Sequence, residues 1–449
     1  MKQSELKVED QVEDGRSRRE VVSRGSHGDW TAAAERPDPI EVLLASNEGR
    51  LQELVPIRFG RMAVSPFTFL RGSAAVMAAD LGAVPTTGLE VQACGDCHLL
   101  NFGLFATPER NVVFGLNDFD ETLPAPWEWD LKRLVASFVV ACRDVKLDER
   151  AVDIAAAAVR AYRTRLWQFV EMSPLEIWYD RLDLARLLEE APDERARKNR
   201  ERLQRQARKR VAENLFPKLV TSDGGRMRIA DQPPLIYHPP ELTEDVAREF
   251  FDAYRVSLPE DRAVLFDRYR FHDAAIKVVG VGSVGTRCLV AVFSADGGQP
   301  LLLQVKEANA SVLEPFVGGA EVGRNNGARV VIGQHLLQPA SDIFLGWGTG
   351  RGGKDFYVRQ LRDMKVSITL VRNPTYLTRY AEFCGLALAR AHANTGSAAA
   401  IAGYLGTSSK VDRSFAEFGS AYADQTERDH RALLEAIDSG YIPAIMETL

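Results

Sequence analysis

Three short stretches of this chain carry groups with chemistry to offer. They are Cys94-Gly95-Asp96-Cys97-His98-Leu99-Leu100-Asn101, Leu116-Asn117-Asp118-Phe119-Asp120, and Trp129-Asp130-Leu131. Asp96 precedes Asn101 at an offset where a carboxylate orients a hydroxyl while an amide oxygen holds Mg²⁺ over a triphosphate. Asp118 supplies a second metal-binding carboxylate, with Asp120 to assist it. Much later, Gly280-Val281-Gly282-Ser283-Val284-Gly285 and Lys306 offer backbone amides and a cation to phosphate oxygens. The chemistry these groups suggest is phosphoryl transfer, with Asp96 as the catalytic carboxylate. Asn101, Asp118 and Asp120 would serve the metal, and Gly280, Gly282, Ser283, Gly285 and Lys306 the nucleotide.

Local elements have to hold these groups in place. Val112 to Leu116 reads as a strand delivering Asp118, after a hairpin turn at Thr107-Pro108-Glu109-Arg110-Asn111. Glu90-Val91-Gln92-Ala93 reads as a short strand entering the Asp96 loop. Leu131, Leu134, Val135, Phe138, Val139 and Cys142 recur at helical spacing and predict one buried face. Asp130, near the start of that helix, reads as an anchor for the Asp96 loop rather than a reacting group.

Around the glycines, Ala274 to Val279, Cys288 to Phe293 and Leu301 to Val305 predict three strands, with Asp296-Gly297-Gly298 as a turn. A dinucleotide-binding loop would open a helix, and the β-branched run after Gly285 is too short to be one. Strand, glycine loop, strand, turn, strand, lysine is the order of a kinase-type nucleotide lobe. A plain hairpin with a buried lysine stem is the other reading. Lys306 needs a carboxylate partner; Glu314 and Glu321 both follow, and the sequence does not choose between them. Glu307 points to the opposite strand face.

Other chemistries are weaker. Cys94-x-x-Cys97-His98 matches covalent haem attachment, which calls for export, and no apolar leader is visible at Met1 to Leu6. Zinc would want a second cysteine pair. His98 reads as a polar residue shaping the loop, or as one that helps place the metal and the acceptor. His392 and Ser283 lack the G-x-S-x-G context of a hydrolase.

The chain has 449 residues, 45% of them hydrophobic, and a formal net charge of −6. That balance argues against general nucleic-acid binding, and no apolar run approaches the length of a membrane span. Five scattered cysteines make no disulfide framework. The expectation is a cytoplasmic protein. The run Arg195 to Arg210 carries nine basic residues and reads as a solvated connecting helix, or as a docking face for an acidic partner.

Arg61-Met62-Ala63-Val64-Ser65-Pro66-Phe67, the Cys94 to Asn101 loop, Asn117-Asp118-Phe119-Asp120-Glu121 and Trp127 to Leu134 resemble the bacterial domain-of-unknown-function family 2252. Leu303 to Ala308 and Ile401 to Gly406 extend that resemblance. More distantly, Gly95-Asp96-x-His98-x-x-Asn101 with Asp118-Phe119-Asp120 and Asp130-Leu131 is similar to aminoglycoside and choline phosphotransferases, with Cys94 where their loop begins with histidine. That similarity implies a base at Asp96 and Mg²⁺ ligands at Asn101 and Asp118. In those enzymes the glycine loop and lysine come first, so here a circular permutation is implied.

The expectation is therefore an α+β, kinase-like two-lobed fold, circularly permuted, that binds ATP and Mg²⁺ and an unknown small-molecule or protein acceptor. Residues 1–38 would form a mobile polar tail and 39–175 a helical lobe with the catalytic and metal loops. A charged connector would span 176–262, a β-rich nucleotide lobe 263–369, and helices completing the helical lobe 370–449. A kinase-like nucleotide-binding or interaction protein without turnover is the alternative.

Overall fold

A computed structural model of the chain describes residues 7–185, 226–318, 325–361 and 369–446, with scattered positions between 194 and 223. Glu321 and most of the basic run Arg195 to Arg210 lie outside the described residues.

Helices α1 (Val8–Ser17), α2 (Pro39–Ala45), α3 (Val55–Ala63), α4 (Pro66–Gly72) and α5 (Ala74–Gly82) lead into strand β1 (Glu90–Ala93). The hairpin β2 (Phe102–Ala106) and β3 (Val112–Leu116) follows, then β4 (Leu123–Pro126), which pairs back on β1. Helices α6 (Trp127–Asp144), α7 (Asp148–Val170) and α8 (Pro174–Tyr179) come next, and β5 (Leu182–Asp183) joins the hairpin edge. Strands β6 (Val220–Asp223) and β7 (Arg226–Ile229) form a separate ribbon.

Beyond β8 (Ile236–Tyr237), α9 (Glu244–Val256) and α10 (Glu260–Phe266) precede the main sheet strands β9 (Arg270–Lys277), β10 (Cys288–Ser294) and β11 (Pro300–Glu307). Helix α11 (Asn326–Leu337) interrupts the sheet before β12 (Gly346–Thr349) and β13 (Asp355–Gln360). The chain closes with α12 (Pro374–Ala393), α13 (Ala398–Leu405) and α14 (Lys410–Asp438). The six-stranded sheet has the order β12-β13-β11-β10-β9-β8 and its pairings are antiparallel. The molecule is thus a mixed α+β fold.

Two large apolar clusters hold it. One gathers α6, α7, α12 and α14 around Phe138, Tyr162, Leu388 and Phe415. The other fills the space between the main sheet and helices α9 and α10 through Phe251, Tyr254, Phe266 and Phe293.

Several sequence expectations change here. Helix α6 was expected to bury one face, but every residue from Trp127 to Cys142 is buried. It is enclosed on all sides, so its charges must be answered by internal partners. The sequence from Pro39 predicts a helix to Leu54, but α2 stops at Ala45, where the Ser46 hydroxyl donates to the Leu43 carbonyl and Gly49 turns at φ +78°. Ser65-Pro66, a capping hydroxyl before a first-turn proline, predicts a helix to Leu81, but it breaks at Ser73, whose hydroxyl donates to the Leu70 carbonyl.

The expected mobile tail is a further correction for residues 7–38. Helix α1 lies on α13, Trp30 is buried against Phe418 and Tyr422, and His27 Nε2 sits 2.7 Å from Tyr404 Oη. Arg19 donates to the Tyr404 carbonyl at 2.9 Å and Arg24 to that of Leu405 at 3.1 Å. Cations expected in solvent instead satisfy the open carbonyls at the end of α13.

Candidate functional site

The β2–β3 hairpin sets the geometry. Its register pairs Phe102 with Leu116, so Asn101, just before β2, and Asn117 and Asp118, just after β3, leave from the same end. Asn117 N donates to the Asn101 carbonyl at 2.8 Å. The Asn101 side-chain amide donates to the Asp96 carbonyl at 2.7 Å. A carbonyl only accepts, so nitrogen must face it, which turns the Asn101 amide oxygen the other way.

Gly95 makes the loop possible. It adopts φ +84°, and a Cβ there would fall 2.3 Å from the Glu121 carbonyl oxygen. Asp130, from the first turn of α6, accepts from Cys94 N at 2.6 Å and Gly95 N at 3.0 Å. His392 Nε2 lies 3.2 Å from Asp130 and is held behind by the Tyr162 hydroxyl at 2.8 Å. Asp130 and His392 therefore anchor the loop. One helical turn from Asp130, Arg133 reaches Asp96 Oδ1 at 2.7 Å and donates to the Leu70 carbonyl. Cys94 Sγ donates to the Asp118 carbonyl at 3.2 Å, tying the two loops together.

His98 accepts from Leu100 N through Nδ1, which leaves its proton on Nε2, 3.9 Å from Asp96 Oδ2. Burial lowers its pKa to about 4, against the pull of Asp96, so it stays neutral. Cys94 and Cys97 are buried, and burial pushes the Cys97 thiol well up, leaving no exposed sulfur for haem attachment.

Lys306 enters from the other half of the chain. Strand alternation turns it, with Tyr357 opposite on β13, toward the hairpin. Its Nζ lies 2.5 Å from Asp120 Oδ2 and 3.5 Å from Asp118 Oδ1, across 186 and 188 positions of sequence. Burial opposes its charge, but Asp118 and Asp120 outweigh burial and raise its pKa well above the ordinary lysine value. The Tyr357 hydroxyl donates to Asp120 Oδ1 at 2.6 Å, so both Asp120 oxygens are engaged. Asp120 is thus the partner sought for Lys306. Glu314 instead accepts from Ser311 N at 3.1 Å, and Glu307, on the opposite face as expected, pairs with Arg287 and Lys354.

A cavity of about 390 Å³ opens on this junction, lined among others by Asp118, Gly280, Ser283, Gln304, Lys306 and Arg359. Asn117 and Asp118 line it, whereas Asp96 and Asn101 are not among its lining residues. Gly280 and Gly285 take φ +69° and +88°, conformations that favour glycine. Gly282 and Gly285 face the helical side rather than the cavity: Arg50 donates to the Gly282 and Val284 carbonyls at 2.8 and 2.6 Å, and its stem packs against Gly285. Arg61 donates to the Gly280 carbonyl at 2.6 Å.

Sequence reasoning missed Tyr357, Arg359, Arg133 and Arg329. Arg329 donates to the Asp120, Thr122 and Asn309 carbonyls and fixes the loop that presents Asp118. Tyr357 and Arg359 could have been found, because two-residue spacing on a strand puts both on the Lys306 face. Arg133 had a similar signal, three residues after Asp130 on a helix. Arg71 was missed as well; its Nε is buried without a hydrogen-bond partner among the described residues, near the charges of Asp96 and Asp118.

The site thus joins a hairpin-borne amide and carboxylate pair to a lysine on an antiparallel sheet. The chain belongs to the family described as an uncharacterized protein conserved in bacteria (DUF2252), whose model matches residues 50–436. No curated protein and no solved structure matches it. Among the described residues, no helix is long and apolar enough to cross a membrane.

Proposed function

We propose that this protein is a Mg²⁺-ATP-dependent phosphotransferase that acts on a hydroxyl group, built as a circularly permuted two-lobed kinase-like fold. The observation that carries the reading is the meeting of Lys306 with Asp118 and Asp120, with Lys306 and Asp118 lining one polar cavity. In support, the loop between β9 and β10 puts Gly280 and Ser283 on the cavity, and Lys306 follows on β11, the strand order of kinase-type lobes that neutralise phosphates.

The donor set fits Mg²⁺. Asp118 is a half-buried carboxylate and Asn101 offers an amide oxygen, both hard ligands, and Mg²⁺ takes few protein ligands beside phosphates and water. Among the described residues no cluster of three or more His, Cys, Asp or Glu groups could hold a metal alone, so substrate oxygens and water would have to finish the shell. When bound, the ion would neutralise triphosphate charge. Lys306 grips phosphate oxygens, held in line by Asp120 and Tyr357. Asp96, oriented by Arg133, positions the acceptor hydroxyl through its second oxygen. Positioning and charge neutralisation are what such transfer needs.

One feature favours a second reading, nucleotide binding without turnover: Arg133 occupies one Asp96 carboxylate oxygen at 2.7 Å. Calorimetry with Mg²⁺-ATP and γ-phosphate transfer to a panel of hydroxyl acceptors separate the two. Wild type should bind and transfer, and Asp118→Asn should lose about 100-fold or more in turnover. Binding without transfer by wild type across the panel selects the second reading. No Mg²⁺-ATP binding overturns both.

A further inference from the structure

The main sheet has a second cavity on the face turned away from Lys306. It measures about 420 Å³ and is walled by Leu242 and Phe250 on the α9 side and by Ile276, Leu289, Val305 and Phe356 on the strands. Strand alternation separates the two sites: Val305 faces this cavity and its neighbour Lys306 faces the other. Volume and walls match small-molecule pockets, which are mainly apolar with a few polar groups that orient the ligand.

Its charged lining residues are three cations, Arg287, Arg351 and Lys354, and one carboxylate, Glu241. Arg287 and Lys354 line the cavity and share one carboxylate, Glu307, at 3.2 and 2.7 Å. Glu307 is 1% exposed, whereas Arg287 and Lys354 are 32% and 38% exposed, so a ligand reaches the cations and not their counter-ion. Arg287, Lys354 and Glu307 together carry one net positive charge inside the cavity wall. Arg351 is paired at the surface with Glu249, and Glu241 on the rim is exposed to solvent.

From this arrangement we infer that the cavity is a binding site for an amphipathic monocarboxylate. Its apolar chain lies between α9 and the sheet, and its carboxylate completes the pairing of Lys354 and Arg287. The inference does not depend on phosphoryl transfer.

Isothermal titration calorimetry of the full chain with decanoate, decanol and decylamine, each below its micelle concentration and without nucleotide, tests it. Decanoate should bind at one site, decanol at least about tenfold more weakly, and decylamine not at all. Lys354→Gln should weaken decanoate about tenfold and leave decanol unchanged. Leu289→Trp, which fills the cavity, should abolish decanoate binding in protein whose thermal melt shows it folded. No decanoate binding, decanol or decylamine binding as tightly as decanoate, or decanoate affinity unchanged in Lys354→Gln overturns the inference. The wild-type series and Lys354→Gln decide it even if Leu289→Trp does not fold.

Discussion

Lys306 is a buried cation whose stability rests on two carboxylates from a distant loop. Replacing it with methionine leaves Asp118 and Asp120 close together without their counter-ion, and should cost about 3 kcal/mol in a denaturant titration at neutral pH. The pH sign follows from its raised folded pKa. The lysine's contribution is complete below the unfolded value and is lost only as pH climbs through the higher folded value. The gap between wild type and Lys306→Met should therefore stay flat between about pH 6 and 9. Glu121 also has a raised pKa, so its slope has the same sign, but its window lies at lower pH. Burial lifts its pKa from 4.5 to about 7, despite a hydrogen bond from Val312 N. Between those values the folded state holds a proton that the unfolded state has released, so stability falls as pH rises through that window. Glu121→Gln should remove that slope and gain about 3 kcal/mol on wild type by pH 8. The neutral His98 gives the reverse slope in an overlapping window, so the informative quantity is the difference between variant and wild type in urea midpoints across pH.

At the scale of elements, the site is a contract between a loop, a hairpin and one buried helix. Helix α6 carries four charged residues into the interior, and each has a structural partner. Glu128 accepts from Thr87 N, Asp130 holds the Asp96 loop, Lys132 lies over the Phe418 ring, and Arg133 holds Asp96 itself. The Asp96 loop can answer them only because Gly95 sits at positive φ, hard against the Glu121 carbonyl. Gly95→Ala should lower stability by at least about 2 kcal/mol in chemical denaturation and reduce phosphoryl transfer beyond what the stability loss explains. The hairpin was readable from the turn residues and the apolar run after it. The enclosure of α6 was not, because the apolar spacing of one helix does not reveal how many neighbours will cover its polar face.

Across the whole molecule, the amino-terminal segment is a strap over the far end of the helices. Its low apolar content suggested mobility, yet Trp30 is 8% exposed and His27 is 2% exposed. Trp30→Ala should cost about 3 kcal/mol and lower the melting temperature measured by circular dichroism, a loss that a mobile tail would not produce. What the sequence determined by itself was local: the strands around the glycine loop, the hairpin that ends at Asp118, the capped start of α4, and Asp130 as an anchor. Short-range hydrogen bonds and two- or 3.6-residue periodicity set these, and both are written in adjacent residues. Only the tertiary structure decided that Lys306 is answered by Asp120 and Tyr357 rather than by Glu314, that Gly282 and Gly285 face Arg71 and Arg50, and that Arg133 holds Asp96. Those pairings depend on how helices and sheet pack together, a sum over many weak apolar contacts that no short window of residues contains.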